Sequence, residues 1–289
     1  MTVAVVNLRI ETGNKEQNIS HIKGFLRAAA KRGADLVLFP ENCLMGNDYY
    51  VNDEVSRQEK LESAEYEGSS FYQEVASLTK KYEIYAVIGN AYREDEALYN
   101  VASVFGPEGY IGIYKKIHPF ANENTWCVKG DKPFFFDTAF GPIGVGICYD
   151  TYQFPELMRY YASKGCRLYL NPTAMYEEID KSNSRQSFLH YYAPTLEYGV
   201  LCNTIFVASA NIVGYDGKSY MGGGSCIIGP KTSPFYETDL HYYAGNPDND
   251  QEGMEMATID LSLAKRILFV DNPDAGEPDY RPQLYKTFE

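Results

Sequence analysis

Three residues in this chain bring together what nucleophilic hydrolysis needs: a thiol, a carboxylate and an ammonium. Cys148 follows the run Gly-Pro-Ile-Gly-Val-Gly-Ile, Glu41 follows Val-Leu-Phe-Pro, and Lys116 ends Gly-Tyr-Ile-Gly-Ile-Tyr-Lys-Lys. A thiol attacks as its thiolate, so it needs a base. A poorly solvated carboxylate of raised pKa can serve. The tetrahedral intermediate then needs donors for its oxyanion, which Lys116 and the backbone N–H of Tyr149 can supply. Taken singly, each residue has a plainer explanation. A cysteine after an apolar strand is ordinarily a small buried hydrophobe, an acid after proline a turn or cap, and one lysine of a pair a surface residue. Their joint placement argues for chemistry, because each falls at the carboxyl end of a predicted strand, where the loops of an α/β sheet build sites.

The elements that must hold these residues follow from the apolar pattern. Residues 3–10 are apolar and β-branched, a buried strand. Asn14 can cap a helix running to Arg32, with Ile19, Ile22, Leu26 and Ala29 on one face and Gly33 as its stop. Residues 36–39 form a strand ended by Pro40, which completes a strand–helix–strand opening of layered α/β type. The rhythm continues with a helix over 69–81 and strands at 84–90, 99–105 and 111–115. A strand at 143–147 leads into Cys148, followed by a helix over 154–163 and a strand at 167–170. A longer helix spans 184–198 with a kink at Pro194. Strands are predicted at 204–210, 225–228 and 257–260. Residues 271–289 are rich in proline and charge without a period, which suits a tail wrapping a surface or a neighbouring subunit. Neither repeats nor linkers interrupt the pattern, so 1–289 reads as one domain.

The totals narrow the function classes. With 289 residues, 45% of them hydrophobic, the chain can bury a large core. A formal charge of −13 argues against nucleic-acid or anionic-membrane surfaces. No run approaches the ~20 apolar residues of a membrane span, and the amino terminus reads as a strand and not as a secretory signal. The six cysteines are widely spaced, without a C-x-x-C pair, so reduced thiols in a cytoplasmic compartment are expected. His21, His118, His190 and His241 lack metal-ligand spacing, and His118 is expected to support the lysine loop. Gly224-x4-Gly229 before Lys231-Thr232 fails as a phosphate loop, since Pro230 intervenes and Cys-Ile-Ile reads as strand. No G-x-S-x-G elbow anchors a serine esterase. The 26 tyrosines against one tryptophan suit partly buried walls and subunit contacts.

Phe39-Pro40-Glu41, Tyr114-Lys115-Lys116-Ile117-His118 and Gly144-Val145-Gly146-Ile147-Cys148-Tyr149-Asp150 resemble the three signature motifs of the nitrilase superfamily, the carbon–nitrogen hydrolases. Phe154-Pro155-Glu156, Asn171-Pro172-Thr173-Ala174, the segment 223–230 and Arg281-Pro282-Gln283-Leu284-Tyr285 are similar to further family segments, so the likeness spans nearly the whole chain. The resemblance implies a four-layer α-β-β-α sandwich with a Glu-Lys-Cys site. Glu41 would be the general base, Lys116 the oxyanion stabiliser and Cys148 the nucleophile. Glu123, by its offset from Gly130-Asp131, would be a second glutamate orienting Lys116 and substrate. Tyr149, Asn171 and Thr173 would lie beside the oxyanion and substrate. The implied reaction releases ammonia or an amine from a small amide or N-carbamoyl amine through a thioester, with no metal or cofactor. Family members usually form homodimers or larger homo-oligomers.

Two departures bear on the substrate. Three residues, Thr151-Tyr152-Gln153, separate Cys-Tyr-Asp from Phe-Pro-Glu where relatives usually place two, so the turn after the nucleophile must bulge or restart its helix. The stretch from His118 to Glu123 is also short. Pocket walls are expected from 42–50, 149–153 and 173–178. Glu177 and Glu178 either favour a cationic amine such as a carbamoylated polyamine or lie exposed; the residues do not decide. Two rivals stay open. One is a nitrile-cleaving enzyme, although such relatives tend to carry Cys-Trp-Glu in place of Cys-Tyr-Asp. The other is a non-catalytic binding or scaffold protein on the same fold.

Overall fold

Alternation along the first strand sets up two cores at once. In β1 (Thr2–Asn7), Val3 and Val5 join one buried cluster while Ala4 and Val6 join another, because successive side chains leave opposite faces of a strand. A computed structural model describes residues 1–179, 181–231 and 239–285. After β1 come α1 (Lys15–Lys31), β2 (Leu36–Leu38), the short α2 (Asn47–Val51) and α3 (Arg57–Ser63), then α4 (Ser70–Tyr82). Strands β3 (Tyr85–Glu94), β4 (Ala97–Gly106) and β5 (Gly109–Lys115) follow. Asn14 caps α1 as its sequence suggests, its side chain accepting the Gln17 N–H at 3.3 Å. The buried stripe of α1 is Ile22, Leu26 and Ala29.

The second half repeats the plan. It contains β6 (Phe134–Phe136), β7 (Ile143–Val145), α5 (Tyr149–Gln153), α6 (Pro155–Ser163), β8 (Leu168–Thr173), α7 (Ser184–Asn203) and β9 (Phe206–Asn211). A hairpin, β10 (Val213–Asp216) with β11 (Ser219–Gly222), precedes β12 (Cys226–Lys231), β13 (Asp239–Gly245), β14 (Gly253–Thr258) and the terminal turn α8 (Pro282–Tyr285). One six-stranded sheet runs β14-β1-β2-β3-β4-β5, the other β13-β12-β9-β8-β7-β6. In each, a parallel trio is flanked by antiparallel strands: β1, β2 and β3 in the first, β7, β8 and β9 in the second. Val3, Leu36, Val87, Leu168 and Val207 belong to one cluster fed by both sheets. On the far faces, α1 and α4 supply Ile22, Leu26, Phe71 and Val75 to the first sheet, and α6 and α7 supply Leu157, Met158, Tyr192 and Leu196 to the second. The architecture is the α-β-β-α sandwich.

Two differences from the sequence pattern are local. The helix expected over 154–163 begins at Pro155, and a separate α5 covers Tyr149–Gln153; Phe154 between them is non-helical, at φ −125° and ψ 75°. A residue before proline is kept out of the helical region, while proline suits the first helical turn. α7 continues past the expected end at residue 198 to Asn203. Gly199 lies inside it, with Met158 packed so closely that a Cβ there would stand 2.7 Å from the Met158 side chain. Within the tail, Tyr280 packs on its own chain, Arg159 lying 5.8 Å from its ring and 5.9 Å from that of Phe269 just before the tail. Thr232 and tail residues 286–289 lie outside the described residues. Among the described residues no helix is long and apolar enough to cross a membrane.

Candidate active site

Three strand ends converge between the two sheets. Glu41 lies just beyond β2, Lys116 follows the last residue of β5, and Cys148 sits between β7 and α5. The approach of Glu41 to β3 needs a glycine: a Cβ on Gly89 would stand 2.3 Å from the Pro40 carbonyl oxygen and 2.5 Å from Glu41 Cα. Glu123 is carried by a 3-10 turn over Ala121–Thr125. Its side chain accepts the Phe120 N–H at 2.5 Å, which fixes the short segment after His118.

The charged groups form one buried cluster. Lys116 Nζ donates to Glu41 Oε1 at 2.6 Å and to Glu123 Oε2 at 2.7 Å. Lys116 and Glu41 are each 1% exposed and Glu123 is 7% exposed, so the charges are tolerable only because they neutralise one another. Asn100 ties the carboxylates together, its Nδ2 donating to Glu41 Oε1 at 2.8 Å and to Glu123 Oε1 at 3.0 Å. Glu41 Oε2 accepts the Ala174 N–H at 3.0 Å. Burial works against the Lys116 ammonium, yet Glu123 and then Glu41 outweigh it and hold the amine charged well above the ordinary lysine range. Burial lifts the Glu123 carboxyl; Lys116 opposes that rise and the Glu41 charge adds to it. Among the described residues no three His, Cys, Asp or Glu side chains converge as a metal cage, and the Lys116 ammonium occupies the place between these two carboxylates.

Cys148 is half-buried and caps α5 in a left-handed conformation, φ 48° and ψ −104°. Several groups hold that turn. The Cys148 N–H donates to Asn171 Oδ1 and to the Pro172 carbonyl, each at 3.0 Å. Asn171 also accepts from Thr151 Oγ1 at 2.7 Å and donates to Tyr152 Oη and Ser209 Oγ, so its amide is fully engaged behind the nucleophile. Thr173 Oγ1 accepts from Tyr152 at 3.0 Å. Tyr149 is the first residue of α5, where a helical N–H lacks an intrahelical acceptor. Burial pushes the Cys148 thiol up, and Glu41 pushes it further; Lys116 and a hydrogen bond from Thr173 pull it back only in part. The thiol is therefore neutral at ordinary pH and needs a base to attack.

Two residues outside the sequence reading complete the frame. Asn100 is one. The other is Asp150, fully buried, which accepts from Tyr114 Oη at 2.8 Å, the His118 N–H at 2.9 Å and the Ile147 N–H at 3.2 Å. His118 Nδ1 lies 2.8 Å from the same carboxylate, and its ring stacks on Phe154 with centroids 3.5 Å apart. Asp150 thereby fastens the lysine segment to the cysteine turn. A polar residue in a buried β-run would have flagged Asn100, and the offset of two from Cys148 would have flagged Asp150.

A cavity of about 400 Å³ opens onto Cys148, walled by Phe120, Tyr149, Tyr152, Gln153, Met175 and Tyr191 among others. Residues from 149–153 and 173–178 contribute as expected, whereas 42–50 do not line it. Glu177 is not free for a cationic substrate: it is 8% exposed, accepts Ser184 Oγ at 2.9 Å and pairs with Arg185 at 3.2 Å. Glu178 pairs with Lys181 at the surface.

A partly exposed thiol beside an ammonium clamped by two carboxylates, at strand ends of a paired-sheet sandwich, is the equipment of a cysteine-dependent hydrolase. The family model for carbon–nitrogen hydrolases matches residues 2–267. A nitrilase from Pyrococcus abyssi is 32% identical over 286 residues, 98% of each chain. A human omega-amidase is 31% identical over 242 residues, covering 79% of this chain and 80% of that one. The solved structure of an amidase from Nesterenkonia sp. superposes with a TM-score of 0.75 at 18% identity, covering 100% of this chain and 96% of that one. The chain belongs to the carbon–nitrogen hydrolase family, and its reaction is hydrolysis of carbon–nitrogen bonds other than peptide bonds.

Proposed function

We propose that this chain hydrolyses a small amide, with Cys148 as nucleophile, Glu41 as general base, Lys116 as oxyanion stabiliser and Glu123 as the group that orients Lys116. The observation that carries it is the buried Glu41–Lys116–Glu123 cluster electrostatically coupled to the Cys148 thiol on the wall of a cavity. Glu41 takes the Sγ proton as the thiolate attacks the carbonyl carbon. Lys116 and the Tyr149 N–H hold the oxyanion, and the proton passes from Glu41 to the departing ammonia. The resulting thioester is cleaved by water that Glu41 deprotonates, releasing the acid and restoring the thiol. Thr173 steadies the sulfur, and Asn171 holds the turn from behind. An N-carbamoyl amine offers the same carbonyl and nitrogen to these groups. The omega-amidase relatives favour an amide over a nitrile.

The remaining expectations belong to this reading. Six free thiols suit a reducing compartment such as the cytoplasm. Residues 1–289 act as one domain, and the tail from 271 meets a second copy in a homodimer or larger homo-oligomer, for which the exposed Tyr198, Leu201 and Tyr285 are suited. The direct test is ammonia release. Cys148→Ala should abolish it while the far- and near-UV circular dichroism stay as in the parent; retained turnover refutes the nucleophile assignment.

A further inference from the structure

Resting on the amidase reading, we infer that the acyl pocket selects neutral amides with an apolar or aromatic acyl group and turns away amides whose far end carries a carboxylate. The cavity beside Cys148 is walled by the rings of Phe120, Tyr149, Tyr152, Tyr176 and Tyr191 with Met175 between them. Its volume of about 400 Å³ lies in the range of small-molecule sites. Ring faces and edges of this kind reward apolar and aromatic groups.

Among the described residues, the wall of this cavity offers a carboxylate no cation. Lys116 is the only cation in the catalytic cluster, and both carboxylates already hold it. A neighbouring groove shares Met175, Tyr176 and Tyr191 with this cavity and is lined also by Glu177, Glu178 and Lys181. There Lys181 pairs with Glu178, and Arg185 pairs with Glu177 and Asp248. Of the phenols, Tyr152 spends its O–H on Thr173, and Tyr191, which accepts from Gln153, can offer only a neutral donor. An anionic acyl chain would therefore lose its water among neutral rings with no cation on the wall to replace it, a costly desolvation. Gln153 ends the short helix that carries the extra residue after the nucleophile, which puts that insertion at the pocket wall.

The test uses the full chain and two amides of equal length, hexanamide and the monoamide of adipic acid, with phenylacetamide as an aromatic probe. We expect kcat/KM for the two neutral amides to exceed that of the adipic monoamide by about 100-fold or more. Equal or faster ammonia release from the adipic monoamide overturns the inference and leaves the amidase reading standing. Release from none of the three overturns the amidase reading, and the inference with it. Gln153→Arg supplies the missing cation at the wall and should narrow the neutral-to-anionic ratio by about tenfold, as a new charge pair worth one pKa unit does. An unchanged ratio in that variant overturns the electrostatic account.

Discussion

Lys116→Met removes an ammonium that lies 2.6 Å from Glu41 and 2.7 Å from Glu123 in a place that is 1% exposed. Methionine keeps most of the volume and supplies no donor. Two buried carboxylates are then left with Asn100 as their shared donor. Removing one partner of a buried ion pair costs about 3–5 kcal/mol. In a chain of this length each kcal/mol moves the thermal midpoint by about 1.6 °C, so at pH 8 it should fall by roughly 5–8 °C. The loss should depend on pH with a definite sign. Burial already raises the Glu123 carboxyl, and Lys116 is the largest counterweight; without it that carboxyl rises further. A group whose folded pKa lies above its unfolded value contributes stability at low pH and loses it as pH climbs through the folded value. The variant should thus be closer to the parent near pH 5 than near pH 8. Scanning calorimetry at both pH values, with ammonia release measured in parallel, reads both effects. A fall below about 3 °C at pH 8, or equal falls at both pH values, would refute the charge-compensated cluster.

Glu41→Gln keeps the shape of the carboxylate but cannot take the thiol proton, so amide turnover should drop by about 10²–10⁴-fold. Intact-mass spectrometry should find no acyl adduct on a slow amide substrate; an adduct formed at the parental rate rules Glu41 out as base. Asn100→Leu deletes the donor shared by Glu41 and Glu123. A hydrogen bond to a charged group is worth about 1.5–3 kcal/mol, so kcat should fall roughly 10- to 150-fold. Asn100→His, which can restore one donor, should recover part of it, and a kcat within twofold of the parent in Asn100→Leu would show that Asn100 does not set the cluster.

Residues at strand ends were legible because the strands themselves were. The apolar runs before Glu41, Lys116 and Cys148 have no other use, and the alternation of Val3 and Val5 against Ala4 and Val6 demanded two buried faces. What stayed hidden depends on contacts distant in sequence. Asn100 lies within β4, and its use appears only when Glu41 and Glu123, 59 and 23 positions away, are brought to it. The hairpin Val213–Gly222 was missed because its pairing is held by Asp48, whose side chain accepts from Lys218 and Ser219 across 170 and 171 positions. Glu177 is undecidable from its own neighbours, since its partner Arg185 is the second residue of α7, eight positions on, and reaches back to it.

The backbone of Cys148, at φ 48° and ψ −104°, is a conformation that costs an L-residue about 1–3 kcal/mol and that glycine adopts without penalty. The hydrogen bonds from its N–H to Asn171 and Pro172 maintain the turn whatever side chain stands there. Catalysis and thermodynamic stability are therefore in conflict at a single codon. A lineage freed from its substrate would gain stability by letting glycine drift into this position, so the side chain found at this turn in any descendant is a record of whether selection still acts on the reaction.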